Sequence, residues 1–408
     1  YMDPKFNNNN HLIDDLKNED NDNVEIEVSK VVSSFANRKN SDPLKEKMMK
    51  NLFKIAIATI VIVLLLFIFS IITSRNKSYS DIEDIMKRSA ERYYSANKNL
   101  LPKATGGTVE VSAQKLANLN YMKDLSSYKK ETCSGKVVVE NNDDDYIYVA
   151  YLDCGSKYKT TELFRKVTAE ENVVTSQDGL YLNNDEYVFR GENINNYITF
   201  GSQLWRIVKV TKDNEVVLIK EGRYNNNNYP FDDRYNSSKG YNTGINDFNV
   251  SRMKQYLDNI YDATDDHDIL FPEKSKSYIV KHNYCIGKRS TKSDGKDYSA
   301  ECSSLSEMMK VGLLSASDYM NASLDSACTN ISSSNCQNYN YLVNHQIEWW
   351  LSTSVSDNSY ETYYITSYGA IKTANDVSYK SIRPVIYLNS KTMFKDGDGS
   401  EKNPYQVK

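Results

Sequence analysis

The chain has 408 residues, 40% hydrophobic and 25% charged, a composition that suits two or three globular units and excludes wholesale disorder or a fibrous repeat. A net charge of −4 leaves no overall basic footprint, so nucleic acid is not expected as a partner. Aromatic content of 12% comes mostly from 32 tyrosines, which serve cores and binding surfaces alike, so composition does not choose between them.

Residues 1–37 carry NNNN, DD and NEDNDN with three basic against eight acidic side chains, too polar to bury a core. Residues 1–50 are read as a disordered tail. From 55 to 72 the chain runs IAIATIVIVLLLFIFSII, eighteen residues without a charge, the length a bilayer core needs. This predicts a transmembrane helix over 51–74. More than 50 residues precede the run and no small-x-small pattern follows it, which disfavours a cleaved signal peptide. Arg38, Lys39, Lys45, Lys47, Lys50 and Lys54 lie before it and only Arg75 and Lys77 just after, so the positive-inside rule puts the tail in the cytoplasm and the rest outside.

Cysteine placement is an independent indication. Cys133, Cys154, Cys285, Cys302, Cys328 and Cys336 all follow the apolar run, and no C-x-x-C pair suggests a metal. Six cysteines on one side favour disulfides in an oxidising compartment, and local pairing gives Cys133–Cys154, Cys285–Cys302 and Cys328–Cys336 among fifteen connectivities. The Asn-, Lys- and Tyr-heavy composition fits a bacterial cell surface.

Residues 75–165 form the next unit. Ser80 and Glu83 have capping-box spacing, and Ile82, Ile85, Met86, Ala90 and Tyr93 recur at helical intervals until Pro102. A Gly106-Gly107 turn, a short helix over 113–119 and a hairpin of strands 136–140 and 146–153 follow. Cys133 and Cys154 bound that hairpin at nearly equal distance from its loop, which places them opposite each other. An apolar helix running into an amphipathic one and then a small Cys-bounded sheet resembles a type IV pilin or pseudopilin subunit over roughly 51–160. The pilin leader ending in Gly, and the Glu five residues into the helix, are missing here.

The domain from residue 166 changes at about Asp178 to short strands between Asn-, Gly- and Asp-rich loops. Strands are expected over 203–210, 215–220, 349–353, 363–367, 370–373 and 383–388. A helix over 249–261 has Met253, Tyr256, Leu257, Ile260 and Tyr261 on one face and Asn249 or Ser251 as cap; a second short helix starts at Ser315 or Ser317.

Leu204-Trp205-Arg206-Ile207, the mid-domain helix, Leu313-Leu314-Ser315, Trp349-Trp350-Leu351-Ser352 and Arg383-Pro384-Val385 stand in the order of a family of bacterial surface domains of unknown function, which this region resembles over about 190 residues. That family is similar to the C-type-lectin-like fold. The resemblance implies a scaffold that displays variable loops. Trp205 and at least one of Trp349 and Trp350 are expected in the core, with Arg206 and Arg383 as structural ion-pair partners. The formylglycine-generating relatives use a redox-active cysteine pair near the C-terminus, and none follows Cys336, so that activity is not carried over.

Other chemistry has little support. His267, His282 and His345 lack H-E-x-x-H spacing, and no G-x-S-x-G, P-loop or G-x-G-x-x-G occurs. Asp262, Asp265, Asp266 and Asp268, and the loop containing Asp396 and Asp398, offer oxygens for calcium, but neither completes an EF-hand, and both read as solvated or structural loops. No metal and no cofactor is expected.

The sequence thus predicts an α+β chain: cytoplasmic tail 1–50, transmembrane helix 51–74, pilin-like module 75–165, and a mostly-β, C-type-lectin-like domain 166–408 with two short helices. Its expected role is non-catalytic binding of an extracellular glycan or protein at the cell membrane; the alternative is a structural subunit of a pilus-like or secretion apparatus. Strand alternation from Ile365 turns Tyr364 and Thr366 outward, so the expected ligand surface is Tyr364, Thr366, Tyr368 and Lys372.

Overall fold

The computed structural model describes residues 43–75, 77–142, 145–264, 269–292 and 295–408, and the chain divides after Arg75 into two compact units. The first is a 33-residue helix, α1 (Pro43–Arg75), opened by a proline where the missing N–H costs nothing. Within the apolar run 55–72, side chains are described as far as Leu64, and Ile55, Ile57, Ile60 and Val63 are exposed. Among the described residues no helix is long and apolar enough to cross a membrane. The expected span 51–74 lies within α1, which begins earlier and takes in residues 43–50 of the expected tail 1–50; residues 1–42 of that tail lie outside the described residues.

The second unit is α+β and mostly β toward its C-terminus. It opens with helix α2 (Tyr79–Ala96), which begins earlier than the Ser80–Glu83 pattern predicts. The capping box is built by Ser78 and Asp81: the Ser78 hydroxyl accepts the Asp81 N–H at 3.1 Å, and the Asp81 carboxylate accepts the Ser78 N–H at 3.0 Å. Glu83 is buried instead, accepting hydrogen bonds from Tyr158, Thr160 and Lys408.

Ile82, Met86, Ala90 and Tyr93 make the apolar stripe of α2. The stripe packs on a three-stranded antiparallel sheet of β1 (Thr108–Ser112), β2 (Ser134–Asn142) and β3 (Asp145–Asp153), in that order. Helix α3 (Ala113–Asn118), capped by Ser112, adds Leu116 to this first core. Alternation along β2 sends Val137 and Val139 inward. Both hairpin strands are longer than the 136–140 and 146–153 expected, and the Cys133–Cys154 disulfide joins their open ends.

Residues from Leu163 to Tyr405 build a second hydrophobic core. After the one-turn helix α4 (Leu163–Val167) come β4 (Gly179–Asn183), β5 (Glu186–Arg190), β6 (Tyr197–Phe200), β7 (Gln203–Val210) and β8 (Val216–Lys220). Every residue of β8 is buried, as the run VVLIK of a strand covered on both faces requires. Short ladders follow at β9 (Tyr229–Pro230), β10 (Tyr235–Asn236), β11 (Tyr241–Asn242) and β12 (Ile279–Val280). Then come β13 (His282–Cys285) and β14 (Leu305–Met309), and a three-stranded sheet of β15 (Trp349–Ser354), β16 (Glu361–Ile365) and β17 (Ile371–Asn375). The chain ends in β18 (Tyr379–Lys380), β19 (Val385–Leu388), β20 (Phe394–Asp396) and β21 (Tyr405–Val407). The main sheet has nine strands, ordered β12-β19-β8-β7-β6-β21-β20, with β4 and β5 attached through β7.

Helix α5 (Arg252–Asp262) is capped by Ser251, and Met253, Leu257 and Ile260 form its buried stripe. The single turn α6 (Glu273–Lys276) follows. Helix α7 (Ala316–Ala322) carries a capping box of Ser315 and Asp318. The bridges Cys285–Cys302 and Cys328–Cys336 lie in this second part.

Trp205, Trp349 and Trp350 are all fully buried. The Trp205 indole N–H donates to the Phe200 carbonyl at 3.0 Å, and its ring stacks on Phe271 at 5.8 Å. Of the two arginines expected in ion pairs, Arg383 has Glu221 at 3.7 Å. Arg206 differs: its guanidinium donates to Asn196 at 2.5 Å and lies over the Tyr197 ring at 3.7 Å, an amide and an aromatic face taking the place of a carboxylate. Replacing Trp205 by Ala should lower the unfolding free energy by about 3–5 kcal/mol, read from urea denaturation, because it leaves a cavity under β6 and β7.

Candidate binding face of the C-terminal sheet

The sheet β15-β16-β17 positions the residues picked from the sequence. Pairing is in register, with Tyr363 opposite Thr373 and Tyr364 opposite Lys372. Tyr363 and Ile365 point into the core, and the Tyr363 hydroxyl donates to the Arg289 carbonyl at 3.3 Å. Tyr364 and Lys372 therefore share the opposite face as direct cross-strand neighbours, but that face also carries the buried Thr362 and Trp350. Tyr364 and Thr366 are accordingly half-buried and not the exposed pair that alternation predicts, and of the two cross-strand partners Lys372 is the exposed one. Tyr364 rests edge-on against Trp350 at 6.1 Å, and the Lys380 ammonium lies 4.3 Å over its ring. Lys380 is held in turn by Glu348 at 2.6 Å.

Thr366 and Tyr368 belong to the β16–β17 turn. The Thr366 hydroxyl accepts the Ala370 N–H at 3.0 Å and closes that turn, whereas Tyr368 stands 78% exposed at its tip. Gly369, at φ +85°, lets the turn come down on Tyr319, whose hydroxyl donates to the Gly369 carbonyl at 2.7 Å. The four residues thus divide into a rigid pair, Tyr364 with Lys372, a turn-closing Thr366 and a solvent-facing Tyr368.

Beside this face lies a hollow of about 430 Å³ lined by Tyr224, Tyr229, Tyr256, Asn259, Asp262 and Ile382. The Tyr229 and Tyr256 rings are 4.9 Å apart. Partial burial, with Asp233 adding to it, raises the Tyr256 hydroxyl above the ordinary phenol range, which keeps it a neutral donor. Hollow and sheet are tied together by two contacts: the Trp350 indole N–H donates to the Tyr229 carbonyl at 2.8 Å, and Lys380 pairs with Tyr229 across β18 and β9. Helical spacing predicts Tyr256 on the apolar stripe of α5. The structure places it at the stripe's margin, with Asn259 beside the same hollow. Tyrosine faces offer stacking area, and the amide and carboxylate offer directional hydrogen bonds, a combination suited to a polyhydroxylated ring or a peptide.

The remaining sequence candidates lie elsewhere. His282 stacks on Tyr387 at 3.9 Å with Glu215 at 3.3 Å, and His345 meets the Ser367 carbonyl at 3.2 Å; the two are held in unrelated surroundings. Asp396 and Asp398 accept the backbone N–H groups of Gly397 and Ser400 at 2.8 and 2.9 Å, so they shape their own turn. Asp262 lines the hollow, whereas Asp265, Asp266 and Asp268, with His267, lie outside the described residues. Among the described residues no three His, Cys, Asp or Glu side chains group as metal ligands.

One carboxyl was not signalled by the sequence. Asp376, just after β17, is fully buried, and burial pushes it up to about 8; the Thr362 hydroxyl and Lys288 pull it down, and Asp232 adds to the rise.

Residues 213–390 match a family described as a domain of unknown function (DUF6273), a stretch that takes in the hollow and the whole β15-β16-β17 sheet. No curated protein and no solved structure matches the chain.

In the folded chain Asp376 holds its proton up to about pH 8, whereas an unfolded aspartate loses it near pH 4. Its contribution to stability is therefore full below about pH 4 and is lost as pH rises toward 8. Asp376→Asn should remove that part of the slope, with thermal midpoints converging on the parent at pH 4 and exceeding it at pH 8; an unchanged slope by calorimetry would exclude the assignment.

Proposed function

We propose that the chain is a single-pass bacterial cell-surface protein whose distal, C-type-lectin-like domain captures an extracellular glycan or protein without catalysis. The observation that carries this reading is the tyrosine-lined hollow joined to the Tyr364–Lys372 face through Trp350 and Lys380. Binding there costs little ordering, because Tyr364 is already clamped between an indole and an ammonium, and Tyr229 is fixed by its own backbone.

Anchoring and orientation rest on two further features. The uncharged run 55–72 falls within α1, with the lysine cluster before it, and all three disulfides lie beyond it. The cytoplasmic tail, the outward C-terminal unit and the pilin-like character of the membrane-proximal module belong to the same proposal. A second reading, a structural subunit of a pilus-like or secretion apparatus, draws on the packing of α2 along the β1-β2-β3 sheet.

Glycan-array and pull-down assays with the full chain test capture. Substituting Tyr364, Tyr368 and Lys372 together by Ala should abolish it while moving the melting temperature by no more than about 3 °C, and Tyr256→Ala should weaken it about tenfold. Capture unaffected by either change would exclude this face. Orientation is tested separately: protease added to intact cells should degrade everything beyond Arg75 and spare an N-terminal tag.

A further inference from the structure

Between the α2–β3 layer and the larger domain runs a cleft of about 590 Å³. Six consecutive residues of β3, Asp145 to Ala150, line it. Alternate side chains of a strand point to opposite faces, so an unbroken run borders one space only if the strand's edge looks into it. The order β1-β2-β3 leaves that edge without a neighbouring strand.

Register identifies the backbone groups at this edge. Leu152 is bonded away from β2: its N–H donates to the Thr160 hydroxyl at 2.8 Å, and its carbonyl accepts the Thr160 N–H at 2.9 Å. The β2–β3 register is unbroken, so Ala150 and Tyr148, two and four residues earlier, send their N–H and C=O the same way. Neither residue has a further backbone or side-chain partner for those groups among the described residues. Thr160 thus starts a fourth lane of the sheet, and the chain leaves it at once, Thr161 accepting the Phe394 N–H at 3.0 Å. The rest of that lane is the cleft.

We propose that this lane is a peptide-binding site: an extended segment of a partner protein adds to β3 by main-chain hydrogen bonds and presents carboxylates to the facing wall. That wall supplies Lys274, Lys276, Lys310, Lys391 and Lys408 against a single acid, Glu273, while the α2–β3 side carries Glu83, Asp84, Glu91 and Asp145 with Lys87, so the carboxylates of an added segment must point away from α2, toward the lysines. Lys276 is paired with Glu273 at 3.3 Å and Lys408 with Glu83, whereas Lys274 and Lys391 have no ion-pair partner among the described residues. Main-chain pairing supplies affinity of the kind used in β-strand addition, and the lysines select an acidic segment. The walls also shield an edge that would otherwise template sheet aggregation.

The probes are two blocked octapeptides, alternating Thr–Glu and alternating Thr–Lys, added to the full chain while hydrogen exchange is followed across 145–151. Millimolar Thr–Glu peptide should slow exchange of the Tyr148 and Ala150 amides about tenfold, and the Thr–Lys peptide should bind about tenfold more weakly. Exchange at those amides unchanged by the Thr–Glu peptide overturns the site, and equal binding of both peptides overturns its acidic preference. Ala150→Pro removes an outward N–H without breaking the ladder to β2 and should abolish the peptide's protection of the remaining Tyr148 amide. The double change Lys274→Glu with Lys391→Glu, far from the core of either layer, should invert the peptide preference at an unchanged melting temperature; a preference that stays put also overturns the proposal.

Discussion

The larger domain depends on a strand that is buried on both sides. Trp349 and Trp350 are adjacent in β15, so their side chains must leave by opposite faces, and both are fully buried. On one face Trp349 packs against Tyr319 and lies 4.9 Å from the Arg383 guanidinium. Arg383 in turn donates to the carbonyls of Lys220 and Leu342 at 3.1 and 2.9 Å, which fixes the end of β8 to the loop before β15. Burial lowers the Arg383 pKa, yet these carbonyls and Glu221 keep the buried guanidinium satisfied. On the other face Trp350 holds Phe231, Tyr364 and the Tyr229 carbonyl. One dipeptide therefore connects the core of the nine-stranded sheet to the tyrosine surface.

That connection bears on how the surface works. Tyr364 and Tyr229 take their positions from the buried Trp350, whereas Tyr368 is attached only through its turn. A ligand meeting this face would find a rigid centre and an adaptable margin, the division of labour that limits the entropy lost on binding. Asp376 and Asp232 lie behind the same sheet and share a backbone hydrogen bond, the Asp232 N–H donating to the Asp376 carbonyl at 3.1 Å.

Legibility in the sequence followed the range of the determining interactions. Helix α5 and the hairpin of β2 and β3 were readable because their apolar period and bounding residues are local. The start of α2 was not: Ser78 with Asp81 and Ser80 with Glu83 both satisfy the capping spacing, and the choice is made by Tyr158, Thr160 and Lys408, which draw Glu83 into a buried site from distant positions. The shared face of Tyr364 and Lys372 follows from alternation once Ile365 is assigned to the core. The hollow beside it does not, since Tyr224, Tyr229 and Tyr256 come from separate segments that tertiary packing alone brings together. Asp376 gave no signal for the same reason, its environment being assembled from β16, the preceding loops and Lys288.

The strand order carries a consequence for how the chain matures. Strands β20 and β21 lie in the same sheet as β6 and β7, with β21 pairing in parallel with β6, so the sheet cannot close until nearly all of the described chain is available. Such long-range pairing is slow, and a chain delivered from its N-terminal side must wait with β6 unprotected. The disulfides are different: they span 21, 17 and 8 residues, each within a segment delivered almost at once. Each bridge therefore needs no residue from the far end of the chain, so closing it does not have to wait for the sheet to close.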